Sequence, residues 1–292
     1  MKNKIIFISY VSFILLFTLY FLFDTFLIER KYENVDNSNI IETEDNKGSV
    51  ISNSNYYIDD NIIIEIKEYY ENDTLIHVAD IIVSSPAYLK TALAKDSYGK
   101  NVVEKTSTIA ERKNAILAIN GDYYGVQEKG YVLRNGVIYR NTSALREDLV
   151  IYEDGSFEII NEGDITLEEL KEKGAYNVFS FGPSLVIDKE ISVSKNDEVD
   201  KAMSSNPRTA IGIISENHYV FVVSDGRTSE SEGLSLYELA TFMKEELNVD
   251  IAYNLDGGGS STMYFNGEVV NNPTTNGRIK ERSVSDIVYI GY

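Results

Sequence analysis

Residues Ile5 to Phe23 carry no charge and are mostly large apolar side chains, and this run constrains everything that follows it. As a helix its 19 residues would measure roughly 28 Å, close to the ~30 Å hydrocarbon core of a bilayer. A segment with no polar face cannot divide its surface between core and water, which argues against a buried core helix. Lys2 and Lys4 precede the run while Asp24 and Glu29 follow it, so a cytoplasmic N-terminus with the remainder outside is expected. The next residues, DTFLIERKYENV, lack the small side chains of a cleavage site. Residues 1–28 therefore read as a cytoplasmic stub and signal anchor in the cell membrane, with secretion after cleavage as the alternative.

What lies beyond must fold as its own body. Residues 29–60 are rich in Asn, Ser, Asp and Glu without periodicity and read as a flexible polar stalk. Regular pattern starts at Asn61, so residues 61–292 are expected to form one extracellular domain. At 292 residues and 43% hydrophobic content the chain can bury a sizeable core. A formal net charge of −19 argues against a nucleic-acid or anionic-membrane binder and requires any anionic substrate to meet locally placed arginines. With no cysteine there is neither a disulfide framework nor a thiolate zinc site, and two histidines exclude a histidine-rich metal centre.

Most of the domain reads as strand. NIIIEIKEYY and TLIHVADIIV flank a polar turn at Glu71 to Asp73, a hairpin in which His77 reads as structural. A short helix over Thr106 to Asn114 leads into the strand Ala115 to Asn120, which ends in NGDYYG. Asn135-Gly136 and Asp154-Gly155 are expected as tight primed turns. Thr166 and Glu169 form a capping box for a helix to Lys173, and Ser235 with Glu238 form one for the longest helix, Leu236 to Leu247. Leu236, Leu239, Ala240, Met243 and Leu247 fall on one face of that helix. The acidic stretch Lys189 to Lys201 reads as a surface loop, and RTAIGIIS and YVFVVSDGR as strands around a turn at Glu216 to His218. Many strands and few helices without regular βαβ alternation predict an α+β fold with a mixed, largely antiparallel twisted sheet.

The strand VDIAYNLD delivers the chain into GGGSST, a carboxylate followed by three glycines and three hydroxyls. Consecutive glycines let backbone amides approach a ligand closely, and Asp256, Ser260, Ser261 and Thr262 supply an acceptor and donors. The loop has no lysine and precedes a strand-like TMYF, so it is not a nucleotide phosphate loop. Ser260 is outside G-x-S-x-G, and neither His77 nor His218 is placed to complete a serine triad. What remains at strand ends is Asp122, Asp225, Asp256 and Glu281 with Arg208, Arg227 and Arg282. Carboxylates beside guanidinium clamps suit an anionic or polyhydroxylated substrate.

The succession NGDYYG, FGPSLV, PRTAIG, SDGR, GLSLYELA, NLDGGGSSTM and ERSVSDIVYI closely resembles the phosphodiester glycosidase family over about residues 114–292. That family includes the uncovering enzyme acting on N-acetylglucosamine-1-phosphodiesters and bacterial exopolysaccharide-related proteins. The resemblance implies a hydrolase that cleaves a sugar-1-phosphodiester at the anomeric carbon. It implies Asp256, Asp122 and Asp225 as the catalytic carboxylates. Binding would fall to Asn120, Arg208, Thr209, Arg227, Gly257, Gly258, Gly259, Ser260, Ser261, Thr262, Glu281 and Arg282. The chain departs from many members in carrying Asp122 where they have a small residue. No cofactor is required; oxygen ligands on Asp256, Asp225 or Asp122 would suit a calcium ion, but no loop has cation-site spacing and no metal is assigned. A non-catalytic glycan or glycan-phosphate binding protein of envelope assembly is the alternative function. The oligomeric state is left open.

Overall fold

Alternation of side chains along the strands decides the layering. In the strand Arg208–Ser215, Ile211 and Ile213 face one way and Ala210 and Ile214 the other, and each set enters a different apolar cluster. The computed structural model describes residues 2–35, 40, 41, 43, 47–194 and 205–292. Its largest sheet has nine strands, centred on the neighbours Ile251–Leu255, Arg208–Ser215, His218–Ser224, Thr74–Val83 and Ile62–Glu71. One five-stranded sheet places Leu117–Asn120 between Met263–Phe265 and Asp286–Ile290. The other places Ala175–Phe179 between Val132–Arg134 and Glu147–Tyr152. The described strand pairs are antiparallel, with one isolated parallel bridge between Glu162 and Ile165. This is the α+β, largely antiparallel architecture expected from the pattern.

Both smaller sheets face the same side of the large one. Ile211, Phe221 and Leu255 from the large sheet meet Leu117, Ile119 and Val288 from one small sheet and Leu149, Phe157 and Phe179 from the other. Each side chain buried in this way is worth ~1.5–3 kcal/mol relative to exposure. The outer faces are covered by one helix each. Helix Leu236–Glu245 sets Leu239, Ala240 and Met243 on Ala210, Val222 and Ala252. Helix Thr106–Arg112 covers Ala118 and Ile287, and helix Leu167–Glu172 covers Leu133, Val150 and Val178.

Local chemistry sets the element ends. Both capping boxes form, Thr166 with Glu169 and Ser235 with Glu238. The longest helix of the domain stops at Glu245, leaving Leu247 as a partly buried residue beyond it. Asn135 and Gly136 both have positive φ, at 50° and 74°, as a primed turn requires. The Asp154-Gly155 turn differs: only Gly155 is left-handed, and the Asp154 carboxylate accepts from the backbone N–H and hydroxyl of Ser156. The acidic stretch from Lys189 is partly described, with Glu190–Ile191 as an edge strand; residues 195–201 lie outside the described residues.

The N-terminal helix, Lys2–Phe26, is long and apolar enough to cross a membrane, with a mean hydropathy of 2.4 over an 18-residue stretch within Lys4–Phe26. The chain then contacts the domain at once. Asn101 Nδ2 donates to the carbonyls of Thr25 and Ile28, both at 3.1 Å, at the helix end. Arg30–Asn34 pairs antiparallel with Ser97–Lys100, and Ile51–Ser52 and Tyr56–Ile58 extend the large sheet. The stretch 29–60 is thus tied to the domain at several points along its described residues. Sequence polarity conceals this because strand edges accept polar residues as readily as a linker does.

Candidate active site

Two strands from different sheets end side by side. The backbone N–H of Asp256 donates to the carbonyl of Gly121 at 3.3 Å. Asn120 fastens the junction: its Nδ2 donates to the Asp256 carbonyl at 2.6 Å, and its Oδ1 accepts from the Thr209 hydroxyl at 2.8 Å and from the Thr262 N–H at 3.2 Å. Asn120 and Thr209 are fully buried. Their hydrogen bonds are therefore expended on holding strand ends together.

The glycine loop follows. Asp256 Oδ2 accepts from Ser260 Oγ at 2.6 Å and from Arg282 Nη2 at 3.0 Å, and Arg282 also donates to Ser260 Oγ at 2.7 Å. Burial pushes the Asp256 carboxyl up, while Arg282 and Ser260 act against the shift. The Arg282 side chain is 42% exposed, so its charge stays available to a ligand. Gly258 has φ 63°, and a Cβ there would lie 2.9 Å from an Arg227 nitrogen. A Cβ on Gly257 would meet the Pro207 carbonyl at 2.8 Å and the Arg208 side chain at 3.9 Å, and one on Gly259 would meet Thr275 Oγ1 at 2.6 Å. Three arginines, 208, 227 and 282, thus ring the loop because glycine leaves them room. Arg208 Nε donates to the Leu234 carbonyl and Arg227 Nη2 to Asn206 Oδ1, which fixes their planes. Among the described residues, Ser261 Oγ, Thr262 Oγ1 and Asn254 Oδ1 are buried here without hydrogen-bond partners.

Behind Gly121 lies a second layer. Arg134, fully buried, donates from Nη2 to Asp122 Oδ2 and from Nε to Asp286 Oδ2, each at 2.8 Å. Its guanidinium lies 4.1 Å from the Phe179 ring centroid. Asp122 also accepts from the N–H groups of Tyr124 and Ser180. Asp286 Oδ1 is buried without a hydrogen-bond partner among the described residues and faces Gly121, where a Cβ would come within 2.3 Å of it. Burial pushes the Asp286 carboxyl up, against the pull of Arg134 and with the help of Asp122 and Asp256. Nearby, Asp148 is completely buried and pushed up to about 10, first by burial and then by Glu162.

The remaining sequence candidates fall elsewhere. Asp225 accepts from the N–H of Asn272 at 2.8 Å and from both asparagine side chains of Asn271 and Asn272. Asn271 in turn binds Met263 N and the Ser261 carbonyl, so Asp225 reaches the glycine loop through one intermediary. It lines a cavity of about 450 Å³ together with Tyr70, Leu75, Thr228 and Asn272. Glu281 accepts from the backbone N–H and hydroxyl of Ser107 at the start of helix Thr106–Arg112. His77 is buried with its Nε2 3.6 Å from Asp225, and His218 contacts Asp80 at 2.6 Å. Arg134, Asp148 and Asp286 escaped the sequence reading. Arg134 shares strand parity with buried Val132, and a charge on an inward parity was the available signal. Among the described residues no group of three His, Cys, Asp or Glu side chains is arranged to hold a metal ion.

Residues 113–291 match the sequence family described as phosphodiester glycosidase. The chain is 29% identical over 201 residues to the uncharacterised protein YomE, derived from the SPbeta prophage of Bacillus subtilis, covering 67% of this chain and 31% of YomE. It is 42% identical over 67 residues to the mouse N-acetylglucosamine-1-phosphodiester alpha-N-acetylglucosaminidase, covering 23% of this chain and 13% of the enzyme. The chain thus spans about a third or less of these curated relatives' length. Among solved structures, the zebrafish catalytic domain of the same enzyme, auto-inhibited by its pro-peptide, superposes with a TM-score of 0.63 at 21% identity, covering 91% of this chain and 88% of that one. A hypothetical protein from Synechocystis superposes with a TM-score of 0.62 at 14% identity, covering 79% of this chain and 62% of that one. These superpositions show the fold.

Proposed function

Because the chain belongs to the phosphodiester glycosidase family, we propose that it hydrolyses a sugar-1-phosphodiester, with an N-acetylglucosamine-like sugar, at the anomeric carbon. The observation that carries this reading is the Asp256–Ser260–Arg282 cluster at the mouth of a glycine loop ringed by Arg208 and Arg227. A phosphoryl leaving group departs as an anion, so the site must hold negative charge more than it must donate a proton. Guanidinium groups do that, and they do it best when fixed in advance by their own hydrogen bonds; the Gly258 amide is already given to the Pro207 carbonyl. Asp256 is the carboxylate beside these cations and acts at the anomeric carbon, as nucleophile or as base for water. Asn120 and Thr209 position it through its backbone. Tyr123, 42% exposed beside Asp122, offers a face on which a sugar ring can stack.

The apolar helix supports a membrane-anchored, outward-facing enzyme, and cell-envelope or exopolysaccharide polymers containing phosphodiesters are the substrates this placement suits. The test uses the full chain in detergent micelles beside Asp256→Asn, with a simple N-acetylglucosamine-1-phosphodiester and free sugar followed by mass. Release by the native chain alone supports the reading. Binding without release from either replaces it with a glycan-phosphate binding function, and neither binding nor release removes the substrate class.

A further inference from the structure

A second cavity, of about 280 Å³, opens where the N-terminal helix joins the domain. Its size is at the low end of small-ligand pockets, roughly 300 Å³ upward. Three cations line it, Arg30, Lys100 and Arg140, against one carboxylate, Glu128, which is 3.7 Å from Lys100 and largely exposed. Tyr32 and Tyr98 form an aromatic wall, with Tyr98 stacked at 5.4 Å on Tyr124. Arg30 also pairs with Asp24 in the helix.

Arg140 is the informative residue. Its Nε donates to the Gly130 carbonyl at 2.7 Å and its Nη1 to the carbonyls of Tyr124 and Gln127, so the guanidinium is fixed by three backbone acceptors. Its remaining nitrogen, Nη2, is buried without a hydrogen bond of good geometry among the described residues, and the guanidinium acts on the phenol of Tyr98 in the cavity wall. A guanidinium held in place by backbone carbonyls keeps its positive charge at the cavity wall, where an anion would meet it beside Lys100 and Arg30. The cavity's position supplies the second half of the argument. Arg30 follows the apolar helix by four residues, and Asn101, next to Lys100, caps the helix end. A helix that crosses a bilayer would therefore hold this cavity at the level of the lipid headgroups, with tyrosines placed as they are in interfacial belts.

We propose that this cavity binds the phosphodiester headgroup of a membrane phospholipid, separately from the glycine-loop site. The inference rests on the membrane-anchored part of the functional reading. The lipid phosphate would sit among the charges of Arg140, Lys100 and Arg30, its acyl chains lying along the exposed apolar helix.

The test measures binding of short-chain phosphatidylglycerol, phosphatidylcholine and soluble glycerol phosphate to the full chain in neutral micelles, by native mass spectrometry and calorimetry. Partners in the comparison are Arg140→Gln, Lys100→Gln and Asp256→Asn. The expected result is one phosphatidylglycerol per native chain, at least tenfold weaker binding in the first two variants, and unchanged binding in Asp256→Asn. Thermal melting of each variant keeps a folding defect distinct from a binding defect, and Lys100→Gln disturbs no backbone hydrogen bond. Equal lipid binding by native chain and cavity variants, or loss of binding in Asp256→Asn, overturns the proposal. Glycerol phosphate binding as tightly as the lipid overturns the lipid assignment and leaves a soluble-anion site. Flotation with neutral vesicles reports separately on the anchor: a native chain that does not float refutes anchoring, which is a different outcome from equal binding by variants.

Discussion

Arg282 places Nη2 3.0 Å from Oδ2 of Asp256 while touching Ser260 Oγ with both Nε and Nη2, so one guanidinium holds both a carboxylate and the hydroxyl that donates to it. The pair joins residues 26 positions apart across the glycine loop. If it serves the proposed reaction, Arg282→Ala should lower kcat/KM for the phosphodiester by about 10²–10³, the usual scale for removing one fixed electrostatic donor. Arg282→Lys should recover part of that loss, since the charge is kept and the fork is not. Steady-state release of free sugar, with circular dichroism to confirm folding, measures both; unchanged kcat/KM in Arg282→Ala would remove Arg282 from the chemistry.

Arg134 is a structural counterpart. Replacing it with Met leaves Asp122 and Asp286 buried without their cation, and breaking a buried pair in this way costs ~3–5 kcal/mol. Urea denaturation of Arg134→Met should show that loss, and it should grow with pH as the Asp286 carboxyl, pushed up by burial, is asked to ionise. A variant as stable as the native chain at pH 8 would show that the Asp286 carboxyl needs no cation there.

Asp148 gives stability a pH dependence of definite sign. Its carboxyl is pushed up to about 10 in the folded chain, first by burial, against ~3.9 in the unfolded chain. Between those values the folded state holds a proton that the unfolded state has released, so ν for the unfolded state is the smaller and stability falls as pH rises. The window runs from about 4 to about 10. Asp148→Asn removes this proton exchange. Its melting temperature should depend less on pH across the window than that of the native chain, and parallel profiles for the two would contradict the assignment.

Gly258→Ala tests the space left for Arg227. With φ 63° and an Arg227 nitrogen 2.9 Å from the added Cβ, the substitution strains the loop and displaces the guanidinium. Destabilisation of ~1–2 kcal/mol is expected from the backbone conformation alone. A KM that rises by more than the stability loss explains would place Arg227 on the substrate. An unchanged KM would assign it to the fold.

The parts of this molecule that are local in sequence could be read from it. Thr166 with Glu169 and Ser235 with Glu238 cap their helices because the interacting atoms are three residues apart. Asp256 and its glycines announce themselves because three consecutive glycines have few uses besides a close approach. The buried layer could not be read in the same way: Arg134 and Asp286 are 152 residues apart and meet because the strand Val132–Arg134 of one five-stranded sheet ends where the strand Asp286–Ile290 of the other begins. Asp225 and Glu281 carry the same chemical signature as Asp256, yet one organises the Asn271–Asn272 turn and the other caps a helix. Residue type states what a side chain can do, and the meeting of strand ends decides which of them does it.

The pairing of Arg30–Asn34 with Ser97–Lys100 also sets a working distance. A free stalk of 32 residues would let the domain wander within a sphere of ~30 Å root-mean-square reach, by random-coil scaling. With the domain seized four residues past the helix, the coupling is at most ~14 Å long even when extended. In a bilayer, the domain would then behave as a short rigid probe with a fixed height and heading, and under the proposed activity it would sample substrate by lateral diffusion in the plane and meet only those phosphodiesters presented within one domain's thickness of the surface.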